Sequence, residues 1–269
     1  NNSGTWEQIG SDIDGEAASD QSGYSVSLSS DGSIVAIGAY QNDGNGSQSG
    51  HVRIYQNNSG TWSQVGSDID GEGNYDGSGN SVSLSSDGSI VAIGAYLNDG
   101  NGNTNDNRGH VRIYQNISDT WTQVGSDIDG EAANDSSGLS VSLSSDGSIV
   151  AIGAYQNDGN GSQSGHVRIY QNNSGTWSQV GSDIDGEGNY DGSGNSVSLS
   201  SDGSIVAIGA YLNDGNGNNS GHVRVYQNNS GTWEQIGSDI DGEAASDQSG
   251  YSVSLSSDGS IVAIGAYQN

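Results

Sequence analysis

Apolar residues along this chain fall into short runs with the two-residue period of β-strands. In the first unit, Tyr24–Ser29 alternates serine with apolar side chains, and Ile34–Tyr40 is apolar on both faces. His51–Gln56 alternates polar or aromatic residues with β-branched ones, and Thr61–Gly66 carries a tryptophan. Asp31-Gly32 predicts a tight turn between the first two segments, because both residues tolerate positive φ. No long stretch has helical spacing, so the pattern predicts an all-β chain of four-stranded units.

This four-segment unit recurs along the chain. Five tryptophans mark the copies at spacings of 56, 59, 56 and 56 residues: Trp6, Trp62, Trp121, Trp177 and Trp233. Repeats of this length are typical of propeller blades and solenoid coils. A strand that is apolar on both faces indicates sheets stacked face to face. We expect a single repeat array with copies at approximately 1–56, 57–115, 116–171, 172–227 and 228–269, the last one incomplete.

Three segments of each copy resemble a known repeat. In the first copy they are Ser22–Ser27, Val35–Ala39 and Gly50–Tyr55. They look like the FG-GAP repeat of integrin-α-like β-propellers, which has a Phe-Gly-x-Ser-Val-Ala strand, a strand ending in Gly-Ala-Pro and a Gly-x-Val-x-Val-Tyr strand. Tyr40 stands where that family has the proline. The resemblance implies tandem four-stranded antiparallel blades in a propeller or a propeller-like array.

Two acidic segments are candidates for binding Ca²⁺. The calcium loop of the resembled family is shortened here to Ser29–Ser33, whose single carboxylate cannot complete a shell of about six to eight oxygens. A second run, Ser-Asp-Ile-Asp-Gly-Glu, occurs five times and places carboxylates at alternate positions. Its alternative role is a solvated turn that keeps the array soluble. The candidate ligands are Asp12, Asp14, Glu16, Asp68, Asp70, Glu72, Asp127, Asp129, Glu131, Asp183, Asp185, Glu187, Asp239, Asp241 and Glu243.

Composition removes several classes of partner. The 269 residues carry a formal net charge of -28 at pH 7, and five arginines are the only strong cations. Such a surface repels phosphate backbones, so we expect no nucleic-acid partner. No apolar run approaches the length of a membrane span, so we expect no membrane insertion. The chain has no cysteine, which excludes disulfides and thiolate sites. It begins at Asn1 without methionine, as a mature or trimmed fragment would.

A basic and aromatic ladder recurs in the third segment of the repeat. His51, His110, His166 and His222 each precede an arginine by two positions and a tyrosine by four, so the three side chains share one strand face. No nucleophile or second ligand set is suggested by the spacing. We interpret the ladder as structural, with its side chains bonded to carboxylates of the next copy.

Aromatic residues and asparagine-rich loops leave carbohydrate binding open. Tryptophan and tyrosine faces stack on sugar rings, whereas the interpretation we favour packs tryptophan between sheets at the periphery. Loop-borne Asn-x-Ser sequons permit glycosylation where the source has the machinery. They begin at Asn1, Asn45, Asn57, Asn116, Asn134, Asn160, Asn172, Asn218 and Asn228.

The order of the copies bears on function. Residues 25–103 recur unchanged as 140–218, and residues 1–42 recur as 228–269, which gives the order A-B-A-B-A. A closed five-blade ring would leave one blade with three strands, so we expect open edges that pair with copies of the chain. Every candidate residue recurs, whereas an active site needs several different groups in one pocket, so we predict no enzyme. The sequence thus predicts an extracellular or cell-surface structural or adhesive protein that self-assembles. The alternative is a closed, lectin-like carbohydrate-binding propeller, assisted by calcium.

Overall fold

The computed structural model describes residues 4–100 and 106–268, and all regular structure in these ranges is β-strand. Twenty-two strands form four complete sheets and one two-stranded sheet, which we call blades 1 to 5 in chain order. This confirms the all-β prediction of repeated antiparallel sheets. No helix in the described ranges has the length and apolar character needed to cross a membrane.

The blades have corresponding strands at corresponding positions of the repeat. Blade 1 contains β1 (Ser25–Leu28), β2 (Ile34–Ala39), β3 (His51–Asn58), β4 (Thr61–Gln64) and β5 (Ile69–Asp70). Blade 2 contains β6 (Ser78–Leu84), β7 (Ile90–Ala95), β8 (His110–Ile117), β9 (Thr120–Gln123) and β10 (Ile128–Asp129). Blade 3 contains β11 (Ser140–Leu143), β12 (Ile149–Ala154), β13 (His166–Asn173), β14 (Thr176–Gln179) and β15 (Ile184–Asp185). Blade 4 contains β16 (Ser193–Leu199), β17 (Ile205–Ala210), β18 (His222–Asn229), β19 (Thr232–Gln235) and β20 (Ile240–Asp241), and blade 5 contains β21 (Ser249–Leu255) and β22 (Val262–Ala266).

Each complete blade is an antiparallel meander with one added short strand. In blade 1, β1 to β4 lie side by side in chain order. The long strand β3 pairs with β4 at its end, where Asn57 faces Trp62, and with β5 at its start, where His51 faces Asp70. The four predicted segments are therefore present, and β5 is a fifth strand that the sequence pattern does not reveal. This two-residue strand fixes the acidic run against the start of the histidine strand.

Apolar cores lie between successive blades. At the junction of blades 1 and 2, side chains from the second and third strands of blade 1 meet the first and second strands of blade 2. Equivalent cores join blades 2 and 3 and blades 3 and 4, each with a tryptophan packed against it. The buried members at the first junction are Ala36, Val52, Ile54, Ile69, Val82, Leu84, Val91, Ile93 and Tyr114. Because these side chains leave water only when two blades stack, the array is held together blade on blade.

Small residues let the inner strands of neighbouring blades approach closely. The Ser81 hydroxyl donates to the Gly138 carbonyl of the next blade at 2.8 Å, and the Leu143 amide donates to the Ser83 hydroxyl at 2.9 Å. A Cβ added at Gly94 would collide with the Gly138 carbonyl oxygen. The alternation of serine with apolar residues therefore serves two purposes, since hydroxyls bond between blades and apolar groups fill the cores.

Candidate functional site

Each of the last four acidic runs leaves one blade and enters the next. In residues 67–72, Ile69 and Asp70 form β5 on blade 1, and the chain then passes to blade 2. Asp68 consequently lies beside His51 of blade 1, whereas Glu72 lies beside His110 of blade 2. Among the described residues, the three carboxylates of one run do not form a group of their own. They contribute instead to two different groups.

Four groups combine one histidine with two carboxylates, and we call them His–carboxylate clusters. Each takes the final glutamate of one acidic run and the first aspartate of the following run. In the third cluster, the Nδ1 atom of His166 lies 3.9 Å from a carboxylate oxygen of Glu131 and 3.9 Å from one of Asp183. The ligand atoms within each cluster lie within 4.8 Å of one another. The clusters are Glu16–His51–Asp68, Glu72–His110–Asp127, Glu131–His166–Asp183 and Glu187–His222–Asp239.

Neighbouring donors hold the far oxygen of each carboxylate. In the third cluster, Gln179 donates from Nε2 to Oδ1 of Asp183 at 2.6 Å, which turns Oδ2 toward the imidazole. The Nη1 atom of Arg168 lies 3.6 Å from Oε1 of Glu131, which turns Oε2 toward the imidazole. The same arrangement recurs in the other three clusters. Each imidazole therefore faces two carboxylate oxygens that lack these anchors.

Burial controls the charge of the imidazole in three of the clusters. Desolvation and, as a smaller cause, the nearby arginine lower the pKa of both His110 and His166 to about 4. The pKa of His222 is also lowered by desolvation. Burial raises the pKa of Glu72 and Glu131 against the effect of their arginines. These histidines are therefore neutral bases at neutral pH, with a nitrogen lone pair available to a ligand.

The arginines correct the predicted direction of the ladder. The Nη2 atom of Arg112 donates to the carbonyl of Asp70 at 2.7 Å, and its Cζ atom lies 5.6 Å from the ring centre of Tyr114. Histidine, arginine and tyrosine do share one face. The arginine's acidic partner comes from the run that precedes the histidine strand, because that run lies against the blade it enters. The histidine lies beside the same glutamate and also beside the aspartate of the following run, which belongs to the next copy.

The remaining predicted ligands lie outside the clusters. The middle aspartates Asp14, Asp70, Asp129 and Asp185 accept arginine bonds through their carbonyls. Asp12 accepts a bond from Gln8 at 2.8 Å. Asp241 and Glu243, of the fifth run, join no cluster among the described residues. Calcium binding by any of these carboxylates stays a prediction.

The shortened loop is closed by its own hydroxyls. The Oδ1 atom of Asp31 accepts bonds from the Ser29 hydroxyl, the Ser33 amide and the Ser33 hydroxyl, at 2.7 to 2.9 Å. These bonds lower the pKa of Asp31 to about 2, with the Ser33 amide as the largest cause. The carboxylate here organises a turn.

The tryptophans and sequon asparagines have structural positions. The indole N–H of Trp177 donates to the Val124 carbonyl of the preceding blade at 2.8 Å, which agrees with peripheral packing. Asn45 and Asn160 donate to carbonyls, and Asn218 lies in an exposed turn. Asn57, Asn116, Asn172 and Asn228 lie at the ends of third strands, not in loops as predicted, and each accepts a turn amide. Asn1 lies outside the described residues.

Tyrosines gather where the second strands end. The rings of Tyr24 and Tyr40 are 4.6 Å apart, and those of Tyr251 and Tyr267 are stacked at 4.9 Å. Tyr211 meets Tyr251 edge-on at 5.7 Å. Burial raises the pKa of Tyr24, with smaller contributions from Tyr40 and Tyr251, so blades 1 and 5 come within electrostatic reach here. We call these five residues the tyrosine cluster; half-exposed aromatic rings of this kind can stack on a ligand.

The outward faces of blades 1 and 5 remain uncovered. Val26 and Leu28 of blade 1 are 62% and 60% exposed, whereas the corresponding Val141 and Leu143 of blade 3 are 9% and 8% exposed. On blade 5, Ile261 is 68% exposed. The same apolar pattern is thus buried at the internal junctions and open to solvent on these two faces.

Comparisons with known proteins agree with this architecture. The sequence matches the FG-GAP repeat over residues 12–55 and 126–170. A comparison with curated protein sequences finds no match. This chain is thus a β-propeller-type array of blades, and two of its repeats match the FG-GAP repeat that the sequence motifs resemble.

Solved structures with the same fold include proteins named as enzymes. The periplasmic gluconolactonase PpgL of Pseudomonas aeruginosa has a TM-score of 0.57 and 18% identity, covering 89% of this chain and 64% of its own. A proposed 6-phosphogluconolactonase of Bacteroides uniformis has a TM-score of 0.56 and 14% identity, covering 89% and 57%. The hydrazine synthase of Kuenenia stuttgartiensis has a TM-score of 0.57 and 12% identity, covering 90% and 68%. The chain therefore spans less than two thirds of the two lactonase-named structures.

These neighbours correct one prediction. Because every candidate residue recurs with the repeat, the sequence predicts no enzyme. That prediction is wrong, since chains of the same blade architecture carry the names of a gluconolactonase and a synthase. A fold built from repeated blades can still carry catalytic residues in one of its pockets.

Proposed function

We propose that this chain is an extracellular or cell-surface structural protein that associates with copies of itself by blade-on-blade stacking. The uncovered face of blade 1 is the observation that carries the proposal. Its Val26 and Leu28 are about two-thirds exposed, although the repeat uses these positions to bury apolar surface at each internal junction.

The internal junctions define the partner of this face. Blade 3 presents the same serine and apolar alternation as blade 1, and a blade of this same protein covers it. Residues 4–16 contact blade 1 in the same way that residues 61–72 contact blade 2. Trp62 donates to the Ile9 carbonyl at 2.9 Å, just as Trp121 donates to the Val65 carbonyl at 2.9 Å.

Charge sets the conditions for association. A net charge of -28 at pH 7 makes two copies repel each other, and salt screens this repulsion beyond a distance of about 10 Å at 0.1 M ionic strength. We expect association to strengthen as salt increases.

The test is electron microscopy combined with sedimentation velocity across protein and salt concentrations. The wild-type chain should form polymers that lengthen with concentration. A Val26→Asp/Leu28→Asp variant should stay monomeric. A control with an apolar-to-aspartate change at Ile117, which is 56% exposed and outside the junctions, should polymerise like wild type. Monomers of the wild-type chain at high concentration and high salt would contradict the proposal.

A second candidate function rests on the tyrosine cluster. The stacked Tyr251 and Tyr267 offer an aromatic surface of the kind that sugar rings contact, and two fold neighbours are named for activity on gluconolactones. A sugar or a sugar lactone is therefore the ligand class to test, by calorimetric titration and by lactone hydrolysis. Tyr251→Ala should abolish binding, whereas Tyr75→Ala, an exposed tyrosine outside the cluster, should not. Equal behaviour of the two variants would remove this candidate.

A further inference from the structure

The His–carboxylate clusters contain buried histidine nitrogens without hydrogen-bond partners, which a purely structural role of the ladder does not explain. His166 is 1% exposed, and neither its Nδ1 nor its Nε2 atom has a hydrogen-bond partner. His222 is in the same situation. A buried polar nitrogen without a hydrogen-bond partner destabilises the folded protein. The histidine recurs at the start of the third strand in four blades. A ligand bound to its unpaired nitrogen would account for this recurrence.

The geometry shows where such a ligand would sit. The Nδ1 atoms of the four histidines lie 3.8 to 4.0 Å from the nearest glutamate and aspartate oxygens. These separations are too long for a hydrogen bond. A zinc-type ion has bonds of about 2.0–2.2 Å to nitrogen and oxygen, so two bonds span about 3.4 Å at a tetrahedral angle and about 4.2 Å in line. An ion placed between the three ligand atoms would bring the exposed carboxylates inward by about half an ångström.

The support around each cluster matches that of a metal site. The imidazole is fixed because His166 lies in β13, paired with both β12 and β15. Gln179 and Arg168 each hold the outer oxygen of one carboxylate, as partners beyond the ligands of a metal commonly do. Glu131 and Asp183 are 46% and 30% exposed, so an ion can enter from solvent and retain water on its open side.

We propose that each His–carboxylate cluster binds one divalent transition-metal ion, with Zn²⁺ as the best match. One neutral imidazole with two carboxylates suits Zn²⁺ or Co²⁺, whereas Ca²⁺ prefers a shell of about six to eight oxygens. Two carboxylates and one arginine leave a net negative cluster that a divalent cation offsets. The ion would join the acidic run arriving from one blade to the histidine strand of the next. This inference goes beyond the proposed self-association and does not depend on it.

The test is titration of the full chain with Zn²⁺ by calorimetry, and with Co²⁺ by visible absorption. We expect four ions per chain, with a Co²⁺ spectrum that shows nitrogen and oxygen ligands. Asp183→Asn should remove one ion of the four. Asp119→Asn, which makes the same charge change on an exposed residue outside the clusters, should keep all four. His166→Ala should also bind three ions, and circular dichroism of that variant checks that the array is folded.

Three results would overturn the proposal. The first is equal stoichiometry in wild type and Asp183→Asn, which would mean diffuse binding to an acidic surface. The second is displacement of Zn²⁺ by equimolar Ca²⁺, which would mean oxygen-only ligation. The third is an unchanged NMR signal of the His166 ring on addition of Zn²⁺.

Discussion

Leu143 and Leu28 occupy the same position of the repeat and have opposite surroundings. Leu143 is 8% exposed in the junction of blades 2 and 3, whereas Leu28 is 60% exposed on the outward face of blade 1. The two leucines lie in stretches of identical sequence, because residues 25–103 are the same as residues 140–218. Burial in this protein is therefore decided by whether a neighbouring blade is present. The comparison separates what one blade encodes from what stacking adds.

The largest expected difference concerns core packing. Leu143→Ala should lower the free energy of unfolding by about 2–5 kcal/mol, because it leaves a cavity between two blades. Leu28→Ala should change it by less than about 0.5 kcal/mol in dilute solution, because its side chain already contacts water. Urea unfolding of both variants at low protein concentration measures this. Equal losses would show that another part of the chain covers blade 1.

The second difference in stability concerns glycines where the inner strands of neighbouring blades approach each other closely. Gly153→Ala would place a methyl group against the Gly194 carbonyl of the next blade, and overpacking of this kind costs about 1–3 kcal/mol. At Gly265 the added Cβ meets only atoms of Ser252 within its own blade, so that variant should lose less stability. Thermal unfolding of the two variants tests this, and the reverse order would contradict the stacking of inner strands.

Acid should weaken the junctions that contain a buried histidine. Burial lowers the pKa of His110 and His166 from 6.5 to about 4. The unfolded chain therefore binds more protons between these values, so stability is complete above about pH 6.5 and is lost as pH falls toward 4. The raised pKa of Glu131 acts in the opposite direction in acid. His166→Gln should flatten the pH dependence of the melting temperature, whereas an unchanged profile would show that the imidazole does not titrate there.

The smallest expected difference involves the tryptophans. Trp177 donates its indole N–H to the preceding blade, whereas Trp6 is 83% exposed. Trp177→Phe removes one hydrogen bond and should cost about 1 kcal/mol. Trp6→Phe should be neutral and should remove most of the fluorescence that iodide quenches. Strong quenching that persists without Trp6 would mean that the junction tryptophans are open to solvent.

The sequence predicts a single blade well and the relation between blades poorly. Segments such as Ile34–Tyr40 and His51–Gln56 carry enough alternation to locate strands, because that pattern is local. The pairing of Ile69–Asp70 with the histidine strand gives no such signal, since two residues show no period. The clusters were also missed. Glu131, His166 and Asp183 are separated by 35 and 17 positions, and the turn of the chain from one blade to the next brings them together.

The fold neighbours give the same lesson for function. Because the blades recur, the sequence alone makes the sites of all copies equivalent. The structure makes them unequal, because Val26 and Leu28 on the outward face of blade 1 are exposed, whereas the same positions of blade 3 are buried. Function at these places depends on the arrangement of blades, which composition does not record.

The most direct test of the central claim is thiol labelling of single-cysteine variants, because the chain contains no cysteine of its own. Val26→Cys should react quickly in dilute solution and progressively more slowly as the protein concentration rises, because another copy covers blade 1. Val141→Cys should react slowly at every concentration, since its own chain covers it. A rate for Val26→Cys that is independent of concentration would contradict the claim that blade 1 is a stacking surface for copies of this protein.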